Sequence, residues 1–133
     1  MSPICYSQSE FPPFPGLRVE LEHLLGVTDP LLAKIDTGAT RTVVPAALLD
    51  QVGAIRTGRV VSCRSYDGRK REWPLYEVTL HVTDDRWPDG VRRLFKNTLA
   101  LGVAGPAEVL LGRDILAAWH LHLDGPRSRY RVE

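Results

Sequence analysis

The sequence predicts a mainly-β fold in one domain. Short β-branched or alternating apolar runs recur along the chain, and Gly, Pro and Asp-Gly turns separate them. Only two stretches, Pro45–Val52 and Asp114–Trp119, have the composition of short helices. Many short strands with few helices point to a closed or sandwiched β architecture. The 133 residues fit a single domain. A chain of this length buries roughly two-thirds of its unfolded surface, so neither a disulfide nor a metal is needed to fold it.

The elements follow in order. Met1–Gly16 is Ser- and Pro-rich without a strand or helix period and reads as an extended arm, leaving residues 17–133 as the folded domain. Leu17–Leu25 alternates Leu17, Val19, Leu21 against Arg18, Glu20, Glu22, a half-buried strand, and 26–30 is a turn. Leu31–Ile35 is a second strand. Pro45 suits the first turn of the helix that Gly53 ends. Arg59–Ser65 and Trp73–Val82 form a hairpin around Asp67-Gly68, with Tyr76, Val78, Leu80 and Val82 on one face. Asp84–Gly90 is a polar turn containing Trp87-Pro88-Asp89-Gly90, Val91–Val103 a strand ended by Gly105-Pro106, and Ala107–Leu111 another strand. His120–Leu123 and Ser128–Val132 flank the Asp124-Gly125-Pro126 turn.

Composition narrows the function. The chain is 44% apolar and 25% charged, with net charge +1, and lacks the basic excess of a nucleic-acid binder. Two distant cysteines make neither a disulfide framework nor a zinc site. Cys63 reads as a small buried residue, since no Cys-His pattern supports a nucleophile. His120 and His122 share a strand face but lack a third ligand nearby, so no metal or cofactor is expected. No apolar run approaches the roughly 18 residues of a membrane span, and the N-terminus lacks a charged start and apolar core. A soluble, cytoplasmic protein without membrane partners is expected.

The stretch that carries chemistry is Leu31–Pro45, LLAKIDTGATRTVVP. A carboxylate at the end of a buried strand is costly unless the site uses it. Gly38 is expected to take φ > 0 and turn loop amides toward Asp36, and Thr37 adds a hydroxyl beside it. Asp36-Thr37-Gly38 resembles the catalytic loop of aspartic proteases. Far downstream, Leu110-Leu111-Gly112-Arg113-Asp114 resembles the second motif of the retroviral, retropepsin type. Both motifs, in this order in so short a chain, resemble a stand-alone retropepsin-like protease.

That resemblance implies a closed barrel-like fold with one lobe per chain. It also implies a homodimeric endopeptidase acting on proteins or peptides, because one chain carries one Asp36. Asp36, Thr37 and Gly38 would be catalytic, with Thr37 bonding across the dimer axis. Ala39, Thr40, Tyr66, Asp67 and Gly68 would meet substrate, the last three from a flap. Tyr66 or Trp73 would close over substrate, unless Trp73 and Tyr76 simply pack within their strand. Leu110, Leu111 and Gly112 would floor the loop, and Asp114 would satisfy Thr42 or nearby backbone. Thr40 stands where retroviral enzymes often carry an Asp that pairs with the motif arginine, so a different partner is expected for Arg113. The basic residues Arg64, Arg69, Lys70 and Arg71 read as a solvated flap turn. The hairpin 120–132 is the candidate for the dimer sheet that retroviral enzymes build from interleaved ends, and removing everything after Trp119 would give inactive monomers. The other functional reading is a non-catalytic dimerisation or peptide-binding module that keeps the fold.

Overall fold

The structure, a computed structural model, describes residues 3–10, 12–64, 68–87, 91–105 and 108–133. Its elements are β1 (Ile4–Cys5), β2 (Gly16–His23), β3 (Gly26–Val27), β4 (Leu31–Ile35), β5 (Val43–Pro45), α1 (Ala46–Gln51), β6 (Ile55–Arg64), β7 (Lys70–Val82), β8 (Leu94–Val103), β9 (Val109–Leu111), α2 (Arg113–Leu116), β10 (Leu121–Asp124) and β11 (Arg129–Val132). The mainly-β prediction holds, and the barrel is closed. β2, β4, β9, β5, β8 and β7 follow one another as hydrogen-bonded neighbours, and β2 pairs again with β7 to complete the ring. β3 extends β2 and β6 extends β7 outside the ring. A separate three-stranded sheet, ordered β1-β11-β10, is built from the two ends of the chain.

Alternation explains the core. Leu17, Val19 and Leu21 of β2 are buried while Arg18 and Glu22 face solvent. Tyr76, Val78, Leu80 and Val82 of β7 are likewise buried on one face. The terminal sheet joins this core through Ile4, Tyr130 and Val132. An aromatic cluster cements the junction: Trp87 lies 4.6 Å from Trp119 in an edge-to-face contact, and Phe95 lies 5.4 Å from Trp119. The Tyr130 hydroxyl donates to the Gly16 carbonyl at 3.0 Å and accepts from the Trp87 indole at 3.1 Å. Burial pushes its pKa up to about 12, so it stays a donor.

Several boundaries differ from the sequence reading. The first strand stops at His23, and Leu24 and Leu25 form an exposed turn into β3. Gly26, at φ +139°, permits that earlier reversal, and the Leu25 amide bonds Val52. β6 begins at Ile55 because Gly58, at φ +81°, absorbs an irregularity between Arg56 and Val60. β8 begins at Leu94 and bulges at Asn97, which has φ +55°. α2 is one turn from Arg113, and residues to Trp119 continue as tighter turns with bonds such as Trp119 N to Leu116 O at 3.1 Å. The arm carries a strand that the sequence reading did not expect: β1 pairs antiparallel with β11 of its own chain.

Candidate active site

Three strands converge on Asp36. β4 and β9 run parallel, with Ile35 opposite Leu111, and β5 pairs with β9 through Val43 and Leu110. Ala33 and Ile35 point into the core, so alternation turns Lys34 and Asp36 to the outer face. At the strand end the Asp36 amide donates to the Leu111 carbonyl at 3.0 Å. The chain then reverses: Ala39 N donates to Asp36 O at 3.2 Å, and Gly38 N donates to Asp36 Oδ1 at 2.9 Å. The expected left-handed backbone at Gly38 is absent, since its φ is not positive. Glycine serves closeness here, because a Cβ would sit 3.2 Å from Asp36 Oδ1. Thr37 is exposed at the loop tip beside the partly exposed Asp36.

The second motif grips this loop from below. Thr42 is fully buried, and its amide donates to both Asp114 oxygens at 3.1 and 3.0 Å. Its hydroxyl donates to Asp114 Oδ1 at 2.9 Å and accepts from Gly112 N at 3.3 Å. Ile115 N also donates to Asp114 Oδ1, closing the first turn of α2. Arg113 N donates to the Ala39 carbonyl at 2.8 Å. Gly112 has no alternative: a Cβ there would lie 2.5 Å from the Arg41 carbonyl carbon and 2.9 Å from Thr42 N. Both motifs therefore meet, locked by bonds across some seventy residues of sequence. The partner of Arg113 is Thr40 itself: Arg113 Nη2 donates to Thr40 Oγ1 at 3.1 Å.

Two solved structures similar to this chain in fold are retroviral proteases. The EIAV protease, solved in complex with the inhibitor HBY-793, aligns with TM-score 0.53 and 24% identity over 86% of this chain and 92% of that one. The simian foamy virus protease, a solution structure, aligns with TM-score 0.51 and 22% identity over 77% of this chain and 91% of that one. This is the retropepsin-like fold. No protein-family model and no curated protein sequence matches the chain.

Within the retropepsin-like fold, the β6–β7 hairpin is the expected flap. Tyr66 and Asp67 lie outside the described residues, and Gly68 is exposed at φ +81° just before β7. Trp73 is half-buried opposite Val61. Tyr76 is a packing residue: it is buried, and a Cβ on Gly102 would strike its ring at 2.4 Å. The sequence reading missed Lys34, which shares the outer face of β4 with Asp36. Its ammonium pairs with Glu10 of the N-terminal segment and with Glu108 at 2.9 Å, and lies 4.6 Å from the Phe14 ring centre. Hydrogen bonds to Glu10 and Glu108 hold Lys34 above the ordinary lysine range. The signal was available in LLAKI, where a charge stands mid-strand two residues before Asp36.

Proposed function

We propose that the chain is a homodimeric aspartic endopeptidase that hydrolyses peptide bonds with a water held between two symmetry-related Asp36 carboxylates. One observation carries this reading. Asp36 stands partly exposed at a strand end, on a loop fixed by Leu111, Arg113 and the Thr42–Asp114 bonds, in a fold shared with retroviral proteases.

The mechanism follows from a pair of acids. Two carboxylates in close reach share one proton, because both cannot ionise cheaply. They titrate as a pair, so neither copy has its own constant until substrate breaks the symmetry. The ionised Asp36 takes a proton from water as the oxygen attacks the scissile carbonyl carbon. The protonated one donates to the carbonyl oxygen. As the tetrahedral intermediate collapses, the Asp36 that took the water proton gives it to the leaving nitrogen. The other takes a proton back from a hydroxyl of the intermediate, and the C–N bond breaks to an amine and a carboxylic acid. Thr37, at the loop tip, bonds across the two-fold axis and orients both acids. Ala39 and Thr40 line the cleft, and Tyr66, Asp67 and Gly68 cover it.

The test compares wild type with Asp36→Asn on an unfolded protein and a peptide library, from acid to neutral pH. Wild type cleaves, and the variant loses about 100-fold or more in rate. Cleavage by both proteins, or by neither, overturns the reading and leaves a binding module.

A further inference from the structure

Between β8 and α2, three basic side chains line one cavity of about 390 Å³: Arg41, Arg92 and Lys96. Its apolar lining comes from Phe95, Leu99 and Ile115, and Asp36 is not part of it. Asp114 is the one carboxylate of the lining among the described residues. Both of its oxygens are already engaged by donors from Thr42, and Oδ1 also accepts from Ile115 N. Three cations against one occupied carboxylate leave the cavity at +2, in a chain whose whole net charge is +1.

The cations are held in place but not satisfied. Arg41 is half-buried, yet among the described residues neither its guanidinium nor the Lys96 ammonium has a hydrogen-bond or ion-pair partner. A charge drawn partly out of water is costly unless something pairs with it. The backbone under Arg41 is fixed, because Thr42 is clamped by Asp114 and the Arg41 carbonyl packs against Gly112. Arg92 is anchored too. Its Nε donates to the Leu94 carbonyl at 3.4 Å, and its guanidinium lies 5.4 Å from the Phe95 ring centre. Its own carbonyl accepts from the Trp119 indole at 3.2 Å. Among the described residues its two Nη nitrogens are unbonded. The bulge at Asn97 leaves Lys96 and Asn97 both outward between the buried Phe95 and Thr98.

We propose that this cavity binds a small phosphate monoester with an apolar body. A phosphate monoester carries about −1.5 to −2 at pH 7, which matches the +2 of the lining. The planar fork of Arg41 takes two phosphoryl oxygens, and Lys96 and the Arg92 Nη nitrogens take the third. The organic part lies against Phe95, Leu99 and Ile115. A carboxylate has a single charge and leaves one cation uncompensated. Asp114 does not repel the ligand strongly, because its charge is spread over the Thr42 and Ile115 donors. The site needs nothing from Asp36, so it stands whether or not the chain cleaves peptides.

Calorimetry on the full chain tests this with phenyl phosphate, inorganic phosphate and benzoate as probes. Phenyl phosphate binds tightest, because it has both the charge and the ring. Inorganic phosphate binds more weakly, and benzoate is weaker than phenyl phosphate by about tenfold or more. Arg41→Gln weakens phenyl phosphate by about tenfold or more, and Lys96→Gln by about threefold or more. Arg59→Gln, on β6 and outside the cavity, leaves the affinity unchanged, and so does Asp36→Asn. Circular dichroism checks that each variant is folded. Lys96 is exposed, so its variant carries the test even where Arg41→Gln does not fold. Four results overturn the site: no binding of phenyl phosphate at millimolar concentration, benzoate held as tightly, folded Arg41 and Lys96 variants that bind like wild type, or an equal loss in Arg59→Gln. The last would mean that binding follows overall charge and no particular cavity.

Discussion

At the residue scale, Asp114 has the plainest energetic role. It accepts the amide and hydroxyl of the fully buried Thr42 and the amide of Ile115, and Thr42 in turn accepts Gly112 N. Asp114→Ala strands two buried donors on Thr42, at a cost of about 2–4 kcal/mol in total. Urea unfolding of the variant should show that loss, and a change below about 1 kcal/mol would contradict it. The sequence made this residue legible because the Leu-Leu-Gly-Arg-Asp pattern is local, and Gly112 is forced by backbone contact. Lys34 was not legible as part of a cluster. Its partners Glu10 and Glu108 lie far from it in sequence, and nothing local joins them. The hydroxyl bond from Arg113 to Thr40 was hidden for a related reason: a missing acid suggests a missing contact, but the Thr40 hydroxyl still accepts.

At the element scale, the turn after β7 ties the N-terminal segment to the barrel. Asp84 is almost fully buried and pairs with Arg86, whose guanidinium also donates to the carbonyls of Cys5 at 3.4 Å and Gly16 at 3.3 Å. Burial pushes the Asp84 carboxyl up, but the hydrogen bonds and charge of Arg86 outweigh it and leave the group below its ordinary 3.8. A depressed folded pKa stabilises above the unfolded value, and that gain is lost as pH falls through the folded value. Asp84→Asn should therefore cost about 1–2 kcal/mol at pH 7, a figure kept low because Arg86 is 45% exposed. The gap to wild type should narrow below about pH 4. Urea midpoints at pH 7 and pH 3 check this, and a gap that widens in acid would refute it. Hairpins and helices were legible in outline because Asp67-Gly68, Gly53 and Asp124-Gly125 mark their ends. The bulge at Asn97 was not, since a polar Lys-Asn pair reads the same in a strand and in a bulge.

At the scale of the whole molecule, closure depends on pairings that no local pattern announces. β2 meets β7 from Val19–Val82 to Glu22–Thr79, and β4 meets β9 across most of the chain. Alternation predicts which face of each strand is buried but not which strand lies beside it. The terminal sheet repeats the point. Composition marked residues 1–16 as an arm, yet Ile4 is buried against Tyr130, and the arm closes the sheet that the last residues open. This changes what a truncation tests. Cutting after Trp119 removes Tyr130 and Val132 from the core, uncovers Ile4 and Trp87, and deletes the bonds from Tyr130 to Gly16 and Trp87. Each large buried side chain lost costs about 2–5 kcal/mol, against a total stability of about 5–15 kcal/mol. The truncated chain should therefore fail to fold, giving no cooperative thermal transition and no near-ultraviolet signal from Trp87 and Trp119. A sigmoidal melt from a compact truncated monomer would show instead that the barrel stands without its terminal sheet, and the sheet's sole task would then be assembly.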